Sequence, residues 1–306
     1  MKVAVLIPCY NEELTVEKVV RDFRKELKDA DIYVYDNNSK DNTAKLAKKA
    51  GAIVRHEYKQ GKGHVVKSMF YDIDADIYIM VDGDDTYPAD AVHKLMQPVI
   101  DGKADMVNGD RLSSTYFTEN KRLFHNFGNK LVKNSINFLF KSDVKDIMTG
   151  YRVFNKKFVK NVPIMSPNFE VETEMTIYAL DKKMSIVEIP VQYRDRPAGS
   201  VSKLNTIKDG IKVVKTIIRM FRSYKPMLFY GILSFISLVV GLSTGIPSLV
   251  MGLFKHPVLN IFGVLGVFLS IVFFAIALIL DTSVRQNKEN YELNLLRYKD
   301  IEDMKK

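Results

Sequence analysis

The chain has 306 residues, a formal net charge of +9 and 26% charged residues. That density of charge excludes a pore built only of membrane helices, and roughly the first two hundred residues mix polar and apolar types enough for one globular domain. The single cysteine, Cys9, excludes an internal disulfide and agrees with a reducing compartment, and no motif around it supports a catalytic thiol.

The opening run, Met1 to Ile7, is too short and too soon interrupted for a signal peptide, so the first domain is expected in the cytosol. Val3 to Ile7 reads as a buried strand, broken by Pro8-Cys9-Tyr10-Asn11-Glu12-Glu13. Thr15 to Leu27 has helical spacing through Val16, Val19, Val20, Phe23 and Leu27. Ile32 to Tyr35 is a second strand, ended by the turn formers Asp36 to Asn42. Thr43 to Ala50 is helical, and Ala52 to Arg55 is a third strand. Gln60-Gly61-Lys62-Gly63 opens a helix through Val65, Val66 and Met69. Ile77 to Val81 is a fourth strand, followed at once by Asp82-Gly83-Asp84-Asp85. Alternating strands and helices predict an α/β fold, a mainly parallel sheet with helices on both faces. Ligands bind beyond the carboxyl ends of such strands, where the loops at Asn11, Asp36, Gly61 and Asp82 all fall.

Two runs near the end carry no charge, Met227 to Phe254 and Pro257 to Leu280, with only Lys255 and His256 between them. About 20 apolar residues cross a bilayer core of about 30 Å. The pair predicts a tight membrane hairpin, with Pro247 expected to kink or end the first span. Arg219, Arg222 and Lys225 precede it, and Arg285 and Lys288 follow it, which places both flanks on the cytoplasmic side. Between Ser200 and Lys225 seven basic residues stand against Asp209 alone. Leu204, Ile207, Ile211, Val214, Ile218 and Phe221 form one helical stripe, and Lys208, Lys212, Lys215, Arg219 and Arg222 follow the same rhythm beside it. A helix lying in the membrane interface fits this pattern, as does a domain helix with a solvated basic edge. Nothing in it suggests stacking on bases, so no nucleic acid partner is expected. The predicted organisation is a domain over 1–199, a basic helical segment over 200–225, a two-span hairpin over 226–280 and a cytoplasmic tail over 281–306.

Two motifs carry chemistry. Carboxylates one residue apart at a strand end, Asp82 and Asp84, can share a divalent cation together with substrate phosphates. A cation bridging a diphosphate would neutralise it as a leaving group. A solvated turn is the alternative, and the apolar strand before it favours the metal. Gly61-Lys62-Gly63 has the makings of an anion site, with free N–H groups, glycines and one cation, although a plain glycine turn reads equally well. It lacks the full P-loop pattern, so ATP hydrolysis is not expected.

Ile7-Pro8-Cys9-Tyr10-Asn11-Glu12, Asp36 to Thr43, Gly61-Lys62-Gly63 and Asp82-Gly83-Asp84 stand in the order and spacing of family 2 glycosyltransferases, which the chain resembles. Asp146-Ile147-Met148-Thr149-Gly150-Tyr151-Arg152 is similar to the acceptor-side segment of that family, and Glu170 to Glu174 to its acidic helix. Arg196 to Leu204 resembles the Arg–x–x–Gly–Ser–x–Ser–Lys loop of polyprenyl-phosphate glycosyltransferases, and the two-span end looks like the bactoprenol (undecaprenyl phosphate) glucosyltransferases. Dolichyl-phosphate mannose synthases are more distant.

The resemblance implies a GT-A type domain and a set of roles. Pro8, Tyr10, Asn11, Glu12 and Asp36 would hold the base and ribose of a nucleotide-sugar donor, with Lys62 near the base or diphosphate. Asp82 would contact the nucleotide, and Asp84, with Asp82, would bind Mg²⁺ or Mn²⁺. Asp146 would be the catalytic carboxylate. Arg111, Arg122, Arg194, Arg196, Ser202 and Lys203 would receive the acceptor phosphate. The expected partners are UDP-glucose or UDP-N-acetylglucosamine, a polyprenyl phosphate, the lipid bilayer and further copies of the chain in a tetramer. The expected place is the plasma membrane, multi-pass, with the catalytic domain and both termini cytoplasmic. Two positions depart from the family: Asp36-Asn37-Asn38-Ser39 where Asp-Asp-Gly-Ser is frequent, and Thr86 where mannose synthases carry a Gln metal ligand, leaving that place to water. A GDP-mannose enzyme and a non-catalytic scaffold remain as alternatives. A processive polysaccharide synthase does not, because its Gln–x–x–Arg–Trp motif needs a Trp and the chain has none.

Overall fold

A computed structural model describes residues 1–113, 123–168, 170–197, 215, 218–251 and 257–303. The chain divides into two compact units, Met1–Ile211 and Lys212–Lys306.

The first unit is a seven-stranded sheet in the order β3-β2-β1-β4-β6-β5-β7. Its strands are β1 (Val3–Cys9), β2 (Asp31–Asp36), β3 (Ile53–His56), β4 (Ile77–Met80), β5 (Met106–Asp110), β6 (Arg152–Asn155) and β7 (Ile186–Pro190). Six run parallel, and β6 alone is antiparallel, between β4 and β5. The helices are α1 (Val16–Glu26), α2 (Thr43–Lys49), α3 (Lys62–Asp72), α4 (Val92–Ile100), α5 (Leu123–Phe140), α6 (Lys156–Asn161) and α7 (Val171–Asp181). The predicted alternation through β4 is found, with ends displaced by one or two residues; Pro8 and Cys9, expected to break the first strand, extend it and pair with Tyr35 and Asp36 of β2.

Strand alternation sorts the core. Val5 and Ile7 of β1, Ile32 and Val34 of β2 and Ile77 and Ile79 of β4 pack in one cluster with Val16, Val19, Val20 and Phe23 of α1 and Leu95 of α4. The opposite face carries Phe154 of β6, whose ring lies 5.5 Å from Phe70 of α3 and 4.8 Å from Phe158 of α6. Each buried side chain of this size contributes about 1.5–3 kcal/mol, which fixes the strand ends from which the site is built.

The second unit contains α8 (Pro226–Met251) and α9 (Pro257–Asp303), both long and apolar enough to cross a membrane. A core helix of a soluble domain would be buried, whereas Phe235, Leu249, Ile261 and Ile279 here are all exposed. The helices meet backbone to backbone. A side chain on Gly241 would lie 2.6 Å from the Val267 N, and one on Gly263 2.5 Å from the Gly245 Cα. Ser234 Oγ donates to the Ser270 carbonyl at 2.9 Å.

One expectation narrows: Pro247 does not end its helix, since α8 continues through it to Met251. The charged segment after residue 280 is helical and continuous with the apolar run before it, since α9 is unbroken for 47 residues. Residues 281–303 carry charge but no Gly or Pro, so nothing in them stops the helix. Of the basic segment, residues 218–224 are helical, and most of the rest lies outside the described residues.

Candidate active site

The antiparallel strand makes the site. Loops after β1, β2, β3, β4, β5 and β7 emerge at the carboxyl end of the parallel strands. Because β6 runs the other way, the segment that enters it, Asp146 to Tyr151, arrives at that same end. Asn11, Asn38 and Asp85, one in each of three loops, take left-handed φ values of 52°, 61° and 59°. Asn and Asp adopt that conformation more readily than other side-chain-bearing residues.

Three acid–base pairs meet there. The Lys62 ammonium bridges Asp82 and Glu172, with 2.5 Å to the Glu172 Oε1. Arg196 lies 2.6 Å from the Asp84 Oδ2 and 3.8 Å from the Glu12 Oε1. Arg111 grips Asp146 with two side-chain bonds, Nε to Oδ2 at 2.8 Å and an Nη to Oδ1 at 2.9 Å, while its backbone N–H adds a third at 3.1 Å. Burial alone would depress Lys62, but its two carboxylates outweigh this and hold it above the ordinary lysine value. Burial would raise Asp82, and Lys62 overrides it and holds it low. Asp84 goes the other way: burial, then the like charge of Asp82, push it above the usual carboxylate range. Breaking one partner out of such a buried pair costs about 3–5 kcal/mol.

The glycines act by letting backbone approach. A Cβ on Gly61 would lie 2.2 Å from the Pro167 carbonyl oxygen, and one on Gly63 1.8 Å from that of Ser166. Their N–H groups are taken, Gly61 by the Asn37 Oδ1 at 2.7 Å and Gly63 by the Pro167 carbonyl at 3.0 Å. The expected cradle of free N–H groups is therefore not formed by these two glycines, and Lys62 alone supplies the cation. Gly83 leaves room for Cys9, whose Sγ would be 2.6 Å from an added Cβ, and Gly150 leaves room for the Asp82 carboxylate.

The Asp146 segment is held from several sides. Arg152, fully buried, donates to the carbonyls of Ile147 at 2.6 Å and Thr149 at 3.0 Å, and to the Thr176 Oγ1 at 3.0 Å. Burial lowers its pKa to about 10. The Gly150 N–H donates to the Tyr87 hydroxyl at 3.0 Å. The Tyr87 ring meets those of Tyr151 and Tyr193 edge-on, each at 5.4 Å, and the Arg111 guanidinium lies 5.6 Å from the Tyr193 centroid.

The other predicted residues divide. Asn11 ties the first two loops, its N–H to the Ser39 Oγ at 2.9 Å and its Oδ1 to the Lys40 N–H at 2.8 Å. The Glu12 N–H donates to the Thr43 Oγ1 at 2.8 Å. Pro8 lies in β1 beside Tyr35, and Tyr10 follows that strand half-buried. Asp36 is buried, with Oδ2 3.4 Å from the His56 Nδ1 and Oδ1 without a hydrogen-bond partner. Arg194 is held by its backbone to the Thr86 carbonyl and its side chain is exposed, so it does not join the buried pairs. Arg122, Ser202 and Lys203 lie outside the described residues.

Sequence reasoning gave no role to Glu172, Asn37, Arg152 or Tyr87. Its place as the middle of three glutamates in Glu170 to Glu174 is the only sequence signal for Glu172. Asn37 departs from the family pattern, yet it clamps the third loop, with its Nδ2 on the carbonyls of Glu57 and Lys59 at 2.8 and 2.9 Å.

Among the described residues no group of three or more His, Cys, Asp or Glu is placed to hold a metal. Asp82 and Asp84 suffice for a divalent ion that completes its shell with phosphate oxygens and water. Their like charge, which already raises Asp84, is relieved by such an ion, so the pair fits it. The Thr86 Oγ1 donates to the Asp84 Oδ1 at 2.6 Å, which orients that carboxylate rather than adding a ligand.

A mainly parallel sheet with an acidic pair beyond one strand, an inserted antiparallel strand and a buried carboxylate entering it defines a GT-A-like sugar-nucleotide transferase fold. The chain belongs to glycosyl transferase family 2, whose description matches residues 4–162. It is 30% identical over 291 residues to Glycosyltransferase AglJ of Haloferax volcanii, covering 94% of this chain and 95% of that protein. It is 29% identical over 217 residues to a dolichyl-phosphate hexose transferase of the same organism, covering 71% and 92%. Among solved structures it is similar to glucosyl-3-phosphoglycerate synthase from Mycobacterium tuberculosis in complex with Mn²⁺, UDP-glucose and glycerol 3-phosphate. That match has a TM-score of 0.56 at 19% identity, covers 73% of this chain and 79% of that one, and bears on the fold alone.

Proposed function

We propose that this glycosyltransferase moves a hexose from a UDP-sugar, glucose or N-acetylglucosamine, onto a polyprenyl phosphate such as undecaprenyl phosphate, in one displacement that inverts the anomeric centre. The observation that carries the reading is the meeting of Lys62, Arg111 and Arg196, each on a carboxylate, at one end of the sheet. Cations held in this way are ready for exchange onto a diphosphate and a phosphomonoester. The dolichyl-phosphate relative supports a lipid phosphate as acceptor, and the two apolar helices support an enzyme anchored in the membrane, with the catalytic unit on the cytoplasmic side.

Asp36 offers its unpartnered oxygen to an N–H of the base or a ribose hydroxyl. Asp84 and Asp82 would hold Mg²⁺ or Mn²⁺, which supplies charge neutralisation for the departing diphosphate. Lys62 keeps Glu172 as counter-charge when Asp82 turns to the donor. Arg196, released from Asp84, reaches the acceptor phosphate. With a second pKa near about 6, that phosphate is largely ionised at neutral pH, so little demand falls on a general base. Asp146, fixed by Arg111, orients the acceptor and stabilises positive charge developing on the sugar.

Acceptor-dependent release of nucleotide, measured over a panel of UDP- and GDP-sugars with undecaprenyl phosphate, tests the reading. UDP release that needs the lipid phosphate is expected. GDP release from GDP-mannose would redirect it to a mannosyltransferase, and no release from any donor would favour a scaffold.

A further inference from the structure

Glu188 of β7 has no place in the reading above. Its carboxylate accepts the Lys145 N–H through both oxygens, at 2.9 and 2.8 Å, and the Asp146 N–H at 3.0 Å. β7 is the edge strand of the sheet, and in its register Glu188 stands level with Asn108, which stands level with Arg152 on β6. The segment entering β6 is thus held by two opposite charges carried on the sheet. Arg152 takes carbonyls on the downstream side of Asp146, and Glu188 takes the N–H groups of Asp146 itself and of the residue before it. The Asn137 side chain fixes the chain one residue further back, its Nδ2 on the Val144 carbonyl at 3.0 Å and its Oδ1 on the Val144 N–H at 3.1 Å.

A surface acid on an edge strand is normally left to solvent. Here it is half-buried beside a cavity of about 310 Å³ whose lining mixes Ser142 and Asp143 with Val144, Leu180, Met184 and Ile186. A half-buried acid whose carboxylate is spent on backbone N–H groups has a structural assignment to fulfil, because those bonds offset the cost of its burial. We infer that Glu188 is the positioning residue of Asp146: it fixes the backbone from which the Arg111–Asp146 pair projects. This rests on the catalytic reading of Asp146 proposed above. Glu188 touches neither substrate nor reacting atoms, so its loss should act on turnover and leave donor affinity alone.

The test uses the whole chain in detergent, with Glu188→Ala and Glu188→Gln. Amide hydrogen exchange over residues 141–148 is measured together with kcat, donor KM and the melting transition. Glu188→Ala should speed exchange at Lys145 and Asp146 about tenfold or more and lower kcat by about 10–100-fold, the scale of a small misplacement, with donor KM within about twofold of wild type. Glu188→Gln keeps one accepting oxygen and turns an N–H₂ toward a backbone N–H, so it should fall between Glu188→Ala and wild type. Unchanged exchange in both variants overturns the proposal, as does a rise in donor KM that accounts for the whole loss. Asp146→Asn is assayed in parallel. Turnover lost there but kept in Glu188→Ala overturns the role of Glu188 alone, whereas turnover kept in Asp146→Asn overturns the reading of Asp146 and the catalytic part of this proposal with it.

Discussion

Arg196 and Asp84 are locked together at 2.6 Å, so an arginine that a phosphate could claim occupies the carboxylate that a divalent cation could claim. On the proposed function, a divalent ion held by Asp84 and Asp82 would compete with the Arg196 guanidinium for that carboxylate, and Arg196 would be freed for the acceptor phosphate once donor and ion were bound.

Removing the competitor should tighten metal binding in the absence of donor. For Arg196→Ala, Mn²⁺ affinity by electron paramagnetic resonance is expected to rise about tenfold, equivalent to about 1.4 kcal/mol, while use of the lipid acceptor falls. Unchanged or weaker binding would mean that the pair does not guard the site.

The same carboxylate sets a pH dependence. Burial first, then Asp82, push the Asp84 pKa up, while Arg196 pulls it down. Metal needs the ionised form, so Mn²⁺ affinity should climb as pH rises through this elevated range. In Arg196→Ala the climb should begin at higher pH, because the group that favoured ionisation is gone. The affinity comparison between wild type and variant therefore belongs at neutral pH or above, and an onset displaced to lower pH would contradict the assignment.

Asp146→Asn keeps the size of the side chain and removes its charge. Turnover should fall by about 10²-fold or more, with donor binding largely intact. The melting temperature should fall as well, since Arg111 is left buried without its counter-charge. A calorimetric scan beside the kinetics separates the two effects, and near-normal turnover removes Asp146 from the mechanism.

Two glycine variants should fail differently. In Gly150→Ala the new methyl meets the Asp82 carboxylate, a side chain that can swing away only by leaving Lys62. Donor KM should rise about tenfold, with a modest loss of stability. In Gly63→Ala the methyl meets the backbone oxygen of Ser166, which cannot swing. The expected outcome is a loss of more than about 2 kcal/mol in stability, read by denaturant unfolding, before any change in donor affinity can be assigned.

What could be read from the chain was local. Val3 to Ile7, the Val16–Phe23 spacing and Ile77 to Val81 announce their elements, because burial of one face or both imposes a period on neighbouring residues. The acidic turn after β4 was legible for the same reason, since it ends a run with no polar residue. Contacts between distant segments were not legible. Nothing near Arg152 in sequence says that its strand runs antiparallel, yet that reversal brings Asp146 to the site. The glycines at 61 and 63 look like a phosphate loop, but the carbonyls they accommodate come from Ser166 and Pro167, a hundred residues further on. Glu172 and Glu188 were legible only as charges, because their partners, Lys62 and the Lys145–Asp146 amides, are chosen by the fold. At the other end, the charged stretch after residue 280 has no Gly or Pro, which gives α9 no reason to stop where the apolar run does.

Mass spectrometry of the lipids recovered after incubating the chain with undecaprenyl phosphate, a UDP-hexose and Mn²⁺ tests the central claim most directly. A hexosyl phosphoryl polyprenol is expected, absent when the metal is chelated and strongly reduced in Asp146→Asn. Sugar delivered to a soluble acceptor, or lipid product formed equally well without Asp146, would contradict it.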